Sequence, residues 1–122
     1  MKIEITIEQQ VLEAELNDSK AAKKLAQSLP ITVGMSWWGD EYYGNCGMSA
    51  SATDDARELM DVGEIAFWPP GSALCFFFGP TPASTDDRPR AASAVIPLGK
   101  ITSDPTVMRS FGGSIVAAIR PL

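Results

Sequence analysis

Residues 2 to 7 alternate strictly. Ile3, Ile5 and Ile7 fall on one side and Lys2, Glu4 and Thr6 on the other, the two-residue period of a strand with one face in a core. Leu12, Ala14 and Leu16 repeat the pattern against Glu13 and Glu15, and the short Glu8-Gln9-Gln10 between the two runs predicts a hairpin. The period then lengthens. In NDSKAAKKLAQSLP, Ala22, Leu25, Ala26 and Leu29 recur at i, i+3, i+4 and i+7 while Lys20, Lys23, Lys24 and Gln27 face away, which predicts a helix over about 18–29. Asn17 or Asp18 can cap its first turn, and Pro30 stops it because the residue before a proline avoids helical backbone angles.

Alternation resumes in Ile31, Val33, Met35 and Trp37, which places Trp37 inward and Trp38 outward, and Gly39-Asp40 supplies a tight turn before Tyr42 and Tyr43. GNCGMSASA, residues 44–52, is small and irregular in pattern. Asp54 or Asp55 can cap a short helix running through Arg57, Leu59 and Met60 and ending at Asp61 to Gly63.

The segment 63–82, GEIAFWPPGSALCFFFGPTP, is different. Ile65 and Phe67 alternate with Glu64 and Ala66, but Leu74 to Phe78 contains no polar residue. Leu74, Phe76 and Phe78 share one core face, and Cys75 and Phe77 require cover on the other. A strand buried on both sides fits the wall of a closed barrel, with the 17–29 helix as the expected outer cover. Trp68-Pro69-Pro70-Gly71 is a connection, since each proline removes an amide donor from any ladder. PTPASTDDRPRAASA after Gly79 predicts a long surface loop. Val95 to Ile101 predicts a strand with an edge or bulge at Pro97, Pro105 begins a short helical turn toward Met108 and Phe111, and Ile115, Ala117 and Ile119 form a last strand. The expected fold is mainly β, a single domain over 1–122 built as a closed antiparallel barrel of about eight strands, with one clear helix and one or two short ones.

ELNDSKAAKKLAQSLP (15–30), WGDEYY (38–43), VGEIAFWPPGSALCFFFGPTP (62–82) and LGKI (98–101) together resemble a small prokaryotic cyclophilin-like family of uncharacterised proteins. The resemblance spans nearly the whole chain. It implies a closed, mostly antiparallel barrel of about eight strands with few helices. Prolyl isomerases of the cyclophilin type use an arginine beside an apolar proline pocket, with phenylalanine, glutamine, tryptophan and histidine around it. This chain has no histidine and lacks their characteristic segments, so the resemblance transfers no catalytic residue.

Composition narrows the chemistry further. A chain of 122 residues with net charge −5 is one domain and a poor match for nucleic acid or an anionic membrane, whose recognition rests on clustered basic groups. Its basic clusters are Lys20, Lys23 and Lys24 and the pair Arg88 and Arg90. No apolar run approaches the ~18 residues of a membrane span, and the acidic, alternating MKIEITIEQQ is unlike an export signal, so a cytoplasmic protein with reduced Cys46 and Cys75 is expected. Without histidine, Ser-His-Asp and Cys-His chemistry is excluded, and no metal or cofactor site is expected. Asp54-Asp55 and Asp86-Asp87 fit caps and solvated loops. Glu64 is a candidate acid or base, or a rim residue facing water.

What remains is an aromatic and arginine set: Trp37, Trp38, Tyr42, Tyr43, Trp68, Arg88 and Arg90. These rings either plug the barrel ends under the arginines or form a platform for a flat ligand, a proline or a peptide. The working expectation is a protein that binds a small molecule or peptide through Trp38, Tyr43, Trp68, Arg88 and Arg90. One alternative is a weak or atypical prolyl isomerase in which Arg88 or Arg90 donates toward the proline nitrogen. Another is a structural or partner-binding subunit whose Cys75/Phe77 face meets a second copy in a homo-oligomer.

Overall fold

A computed structural model describes residues 1–122 in full. Nine strands, one α-helix and two short 3₁₀ segments follow in the order β1 (Lys2–Ile7), β2 (Gln10–Leu16), α1 (Lys20–Ser28), β3 (Ile31–Trp37), β4 (Glu41–Asn45), β5 (Arg57–Leu59), β6 (Glu64–Trp68), a 3₁₀ turn (Pro69–Gly71), β7 (Ala73–Phe77), β8 (Arg90–Ile101), a second 3₁₀ segment (Pro105–Ser110) and β9 (Ser114–Pro121). Eight of the strands close a ring in the order β2-β1-β9-β3-β4-β7-β6-β8, and β8 returns to β2 through Ala14↔Ile101, Glu15↔Lys100 and Leu16↔Gly99. Every pairing is antiparallel. The ring is not a regular barrel, because β3 and β4 share only the rungs Ser36↔Tyr43 and Trp37↔Tyr42.

The expected alternation fills the lumen. Ile3, Ile5 and Ile7 of β1 meet Leu12, Ala14 and Leu16 of β2, Val33 and Met35 of β3, Leu74 and Phe76 of β7 and Ile115, Ala117 and Ile119 of β9 in one buried cluster. Tyr42 stacks on Phe78 with ring centroids 5.5 Å apart, and its hydroxyl donates to the Gly112 carbonyl at 2.6 Å. Each such side chain removed from water contributes roughly 1.5–3 kcal/mol. The hairpin between β1 and β2 is tighter than expected: Glu8 and Gln9 alone form the turn, with φ of 50° and 75°, the backbone a two-residue hairpin matching the strand twist requires.

The helix begins two residues later than the sequence pattern suggested. Ser19, not Asn17 or Asp18, is its cap, accepting from the Ala22 amide at 3.1 Å, while the Asn17 side chain accepts from the Ser19 amide at 3.0 Å. Ala21, Ala22 and Leu25 join the lumenal cluster, so α1 stoppers the barrel instead of covering β7. Cover for the outer face of β7 comes from elsewhere. Met60, Ala66, Ala73, Cys75, Phe77, Ala91 and Val95 form a second buried cluster, with Trp68 packed against it. The first half of β8, expected as loop, folds across the outside of β6 and β7, and small side chains at Ala91 and Ser93 let it approach closely. Because Cys75 and Phe77 are buried within the chain, they offer no surface to a second copy.

Two further local expectations fail. Residues 57–60 are extended, not helical, because β5 pairs with β8 through Arg57↔Val95 and Leu59↔Arg90. Trp37 points to solvent at 47% exposure. Beyond Ser36↔Ser114 its strand has left β9, and the lumen beside it is already filled by Tyr42 and Phe78. The bulge foreseen at Pro97 is present: Ile65 faces Gly99 while Ala66 faces Pro97, leaving Leu98 as the extra residue, and both Leu98 and Ile101 thereby reach the core.

Closure depends on Gly99. A Cβ there would lie 2.2 Å from the Glu15 carbonyl oxygen and 2.8 Å from the Leu16 Cα, and neither backbone atom can move without opening the seam. Gly99→Ala is therefore expected to lower the unfolding free energy by about 1–3 kcal/mol in urea titrations, whereas Gly112→Ala, in open space, changes it by less than about 0.5 kcal/mol. Equal losses for the two variants would refute the close approach at the seam.

Candidate functional site

The side chains on the outside of β4 set the site. Tyr42 points into the lumen, so Glu41 and Tyr43 point out, beside Phe77 and Cys75 to which they are paired on β7. Next across the sheet, Trp68 lies opposite Ala73 at the end of β6. Its indole Nε1 donates to the Ser93 hydroxyl at 2.7 Å, which ties the overlying half of β8 to the ring, and the ring packs so tightly on Gly71 that a Cβ there would meet it at 2.8 Å. Trp38 is held by the β3–β4 turn. Its amide donates to the Glu41 carbonyl at 2.8 Å, Asp40 N donates to the Pro80 carbonyl at 2.9 Å, and Gly39, at φ 60°, packs against Pro82.

Trp38, Glu41, Tyr43, Trp68, Ala91, Ala92 and Val95 line a cavity of about 240 Å³ that is open to solvent on one side. It lies outside the barrel, between β4 and the part of β8 that folds over the outer cluster. Six of the seven lining residues are apolar or aromatic. The exception is Glu41, only 5% exposed, whose Oε1 has no hydrogen-bond partner. Burial raises its carboxyl to about 7, and the adjacent Cys75 thiol, whose proton points to the Ala73 carbonyl at 3.8 Å, offsets only part of that rise. The thiol of Cys75 is itself pushed well above its ordinary value by burial first and then by the Glu41 charge, which leaves it a poor nucleophile. Cys46, half-buried, is raised by burial as well, and both cysteines are free thiols.

Of the five residues singled out from sequence, the structure brings Trp38, Tyr43 and Trp68 together around this cavity, and neither arginine lines it. Arg88 donates to Asp61 Oδ1 at 2.9 Å and to the Met60 carbonyl at 3.3 Å, anchoring the 80–89 loop to the β5–β6 connection. Arg90 lies 3.7 Å from Glu58, with its Nε buried and unpartnered. Glu64 is not a rim residue: it is buried, receives Arg57 at 2.6 Å and accepts from the Asp61 amide at 2.8 Å, so it holds β5 to β6. Glu41 escaped the sequence reading. Its signal was the alternation of Glu41-Tyr42-Tyr43, which puts an acid on the same outer face as Cys75 and Phe77 once Tyr42 is assigned to the lumen.

The buried carboxyl makes stability depend on pH with a definite sign. Glu41 titrates at about 7 in the folded chain against 4.5 as its ordinary value, so between those pH values the folded state holds the proton that the unfolded state has lost. Stability is greatest below that window, falls by up to about 3 kcal/mol as pH rises through it, and is level above it. Glu41→Gln keeps the shape without the charge. The urea midpoint of this variant is expected to rise relative to the unmodified protein between pH 5 and pH 8, and a difference that stays constant over that range would show that Glu41 does not titrate there.

Comparison with known proteins agrees with this architecture. The sequence matches the family described as cyclophilin-like over residues 1–119. No curated protein matches it. Among solved structures, the hypothetical protein AF2241 from Archaeoglobus fulgidus superposes with a TM-score of 0.81 at 28% identity, over 100% of this chain and 95% of that one. McbB, solved in complex with tryptophan, superposes with a TM-score of 0.65 at 15% identity, over 98% of this chain but 44% of McbB, and shows a shared fold. With its ring of antiparallel strands and a family match that leaves out only the last three residues, the chain belongs to the cyclophilin-like family.

Proposed function

We propose that the protein binds a small molecule, or a single side chain presented by a peptide, in the cavity between β4 and the first half of β8. The observation that carries this reading is the convergence of Trp38, Tyr43 and Trp68, from three separate places in the chain, on one half-open cleft of about 240 Å³. Aromatic walls with one polar group are the usual makeup of a small-molecule site, and this volume suits one ring system. All three rings sit on rigid supports: Trp68 is pinned by Ser93, Tyr43 lies within a paired strand, and Trp38 is fixed by a turn bonded at both ends. Such a site needs little reordering when it fills.

The isomerase alternative gains no support from this geometry. It calls for an arginine donor over the aromatic surface, and Arg88 and Arg90 are directed to Asp61 and Glu58.

Indole and tert-butylbenzene serve as ring probes, with binding read from shifts of the protein's tryptophan indole N–H signals in NMR titrations. At least one of them is expected to bind with a saturable, millimolar or tighter affinity, and Trp38→Ala to weaken it about tenfold, in line with the loss of one aromatic contact. Tyr43→Leu, which keeps apolar bulk, checks the same wall should Trp38→Ala fold poorly. Saturable binding that is unchanged in both variants would place the site elsewhere.

A further inference from the structure

Resting on the reading of this cavity as a binding site, we infer that its ligand is an organic cation, an alkylated ammonium group carried on an apolar or ring-bearing body. The argument starts from the unpartnered oxygen. A buried carboxyl oxygen that makes no hydrogen bond is costly, and few such groups persist in a folded chain without a reason. Glu41 Oε1 is such an atom, and Glu41 lines the cavity. That oxygen is itself closed off from water-sized molecules, so a ligand in the cavity acts on the charge of the carboxylate and not through a bond to Oε1.

The surroundings favour charge over a neutral donor. Trp38, Tyr43 and Trp68 present rings around the same space, and the negative faces of aromatic rings attract ammonium groups, most strongly when water is excluded. No lysine or arginine lines the cavity to neutralise Glu41 from within the chain. The cations on neighbouring elements are engaged: Arg57 with Glu64, Arg90 with Glu58, Arg88 with Asp61, and Arg109 with Asp40 on the β3–β4 turn. On β7 the titratable neighbour of Glu41 is the Cys75 thiol, which burial keeps protonated. The site is thus a carboxyl inside a set of rings with no countercharge, on a chain of net charge −5 that draws cations toward it.

The decisive comparison uses two molecules of nearly equal shape, phenyltrimethylammonium and tert-butylbenzene, titrated by tryptophan fluorescence against the whole chain. Neither probe titrates, so any pH dependence belongs to the protein. At pH 8 the cation is expected to bind at least about tenfold more tightly than its neutral isostere. With the Glu41 carboxyl at about 7, the cation is expected to bind at least about tenfold more weakly at pH 5 than at pH 8, the neutral probe showing no such change. Glu41→Gln removes the pH dependence of cation binding and reduces the preference for the cation over tert-butylbenzene to what the rings alone supply.

Equal affinities for the two probes at pH 8, or a cation affinity that does not vary with pH, overturn the inference, and both measurements need only the unmodified protein. Binding of indole or tert-butylbenzene without phenyltrimethylammonium also overturns it while leaving the cavity a binding site. Failure of all three probes to bind removes the binding reading itself.

Discussion

Strand β7 must be dry on both faces, and most of the architecture answers that constraint. Leu74 and Phe76 require a lumen, so the sheet closes. Cys75 and Phe77 require an outer cover, so the chain folds a second layer over the wall. Either face left wet would cost several kcal/mol of burial, an appreciable part of the stability of a domain this size. The two requirements are met by different means. Closure is achieved by backbone contact at Gly99, where a side chain has no room, and the outer cover by small residues on β8 that let one strand lie flat on another.

That outer layer is also why a cavity exists. The overlying half of β8 covers β6 and β7 with Ala91 and Val95, and these two and Ala92 are the small residues it contributes to the cavity wall. Larger residues there would fill the space; alanines leave it to the rings of Trp38, Tyr43 and Trp68. The Trp68–Ser93 hydrogen bond fixes the spacing between the two layers, so the cavity is part of the fold and not the result of a mobile loop. Structure and proposed function meet in one choice of residue size.

Much of the barrel was legible in the sequence because lumenal packing leaves a local trace. Ile3-Ile5-Ile7, Leu12-Ala14-Leu16 and Ile115-Ala117-Ile119 each alternate within a few residues, and the change of period at residues 19–29 marks the helix without ambiguity. The outer layer leaves no such trace. Residues 90–94, RAASA, are too small to show alternation, and 57–60 carry caps and charges that suit a helix, so local preference points away from the strands that their mutual pairing creates. The same distinction separates the aromatic residues from the arginines. Trp38, Tyr43 and Trp68 stand out as large aromatic residues beside turns, whereas the direction of Arg88 and Arg90 depends on Asp61 and Glu58, which β5 brings alongside through a pairing the sequence conceals.

Glu41 is where stability and function pull in opposite directions. At a position flanked by Phe77 and Cys75, a leucine or methionine would remove an unpartnered oxygen and the pH-dependent penalty with it, and the strand pairing would be unaffected. Charge alone does not explain its retention, since the chain is already acidic. Nor does a structural ion pair, since the buried acid that has one is Glu64, paired with Arg57. The contrast between these two acids, both on outward positions of neighbouring parts of the wall, is instructive: one is neutralised by the chain and ties two strands together, the other is left for something the chain does not contain. A protein that keeps the second kind of group inside three aromatic rings gives up stability at neutral pH, and an incoming cation that pairs with the carboxylate would restore it on binding.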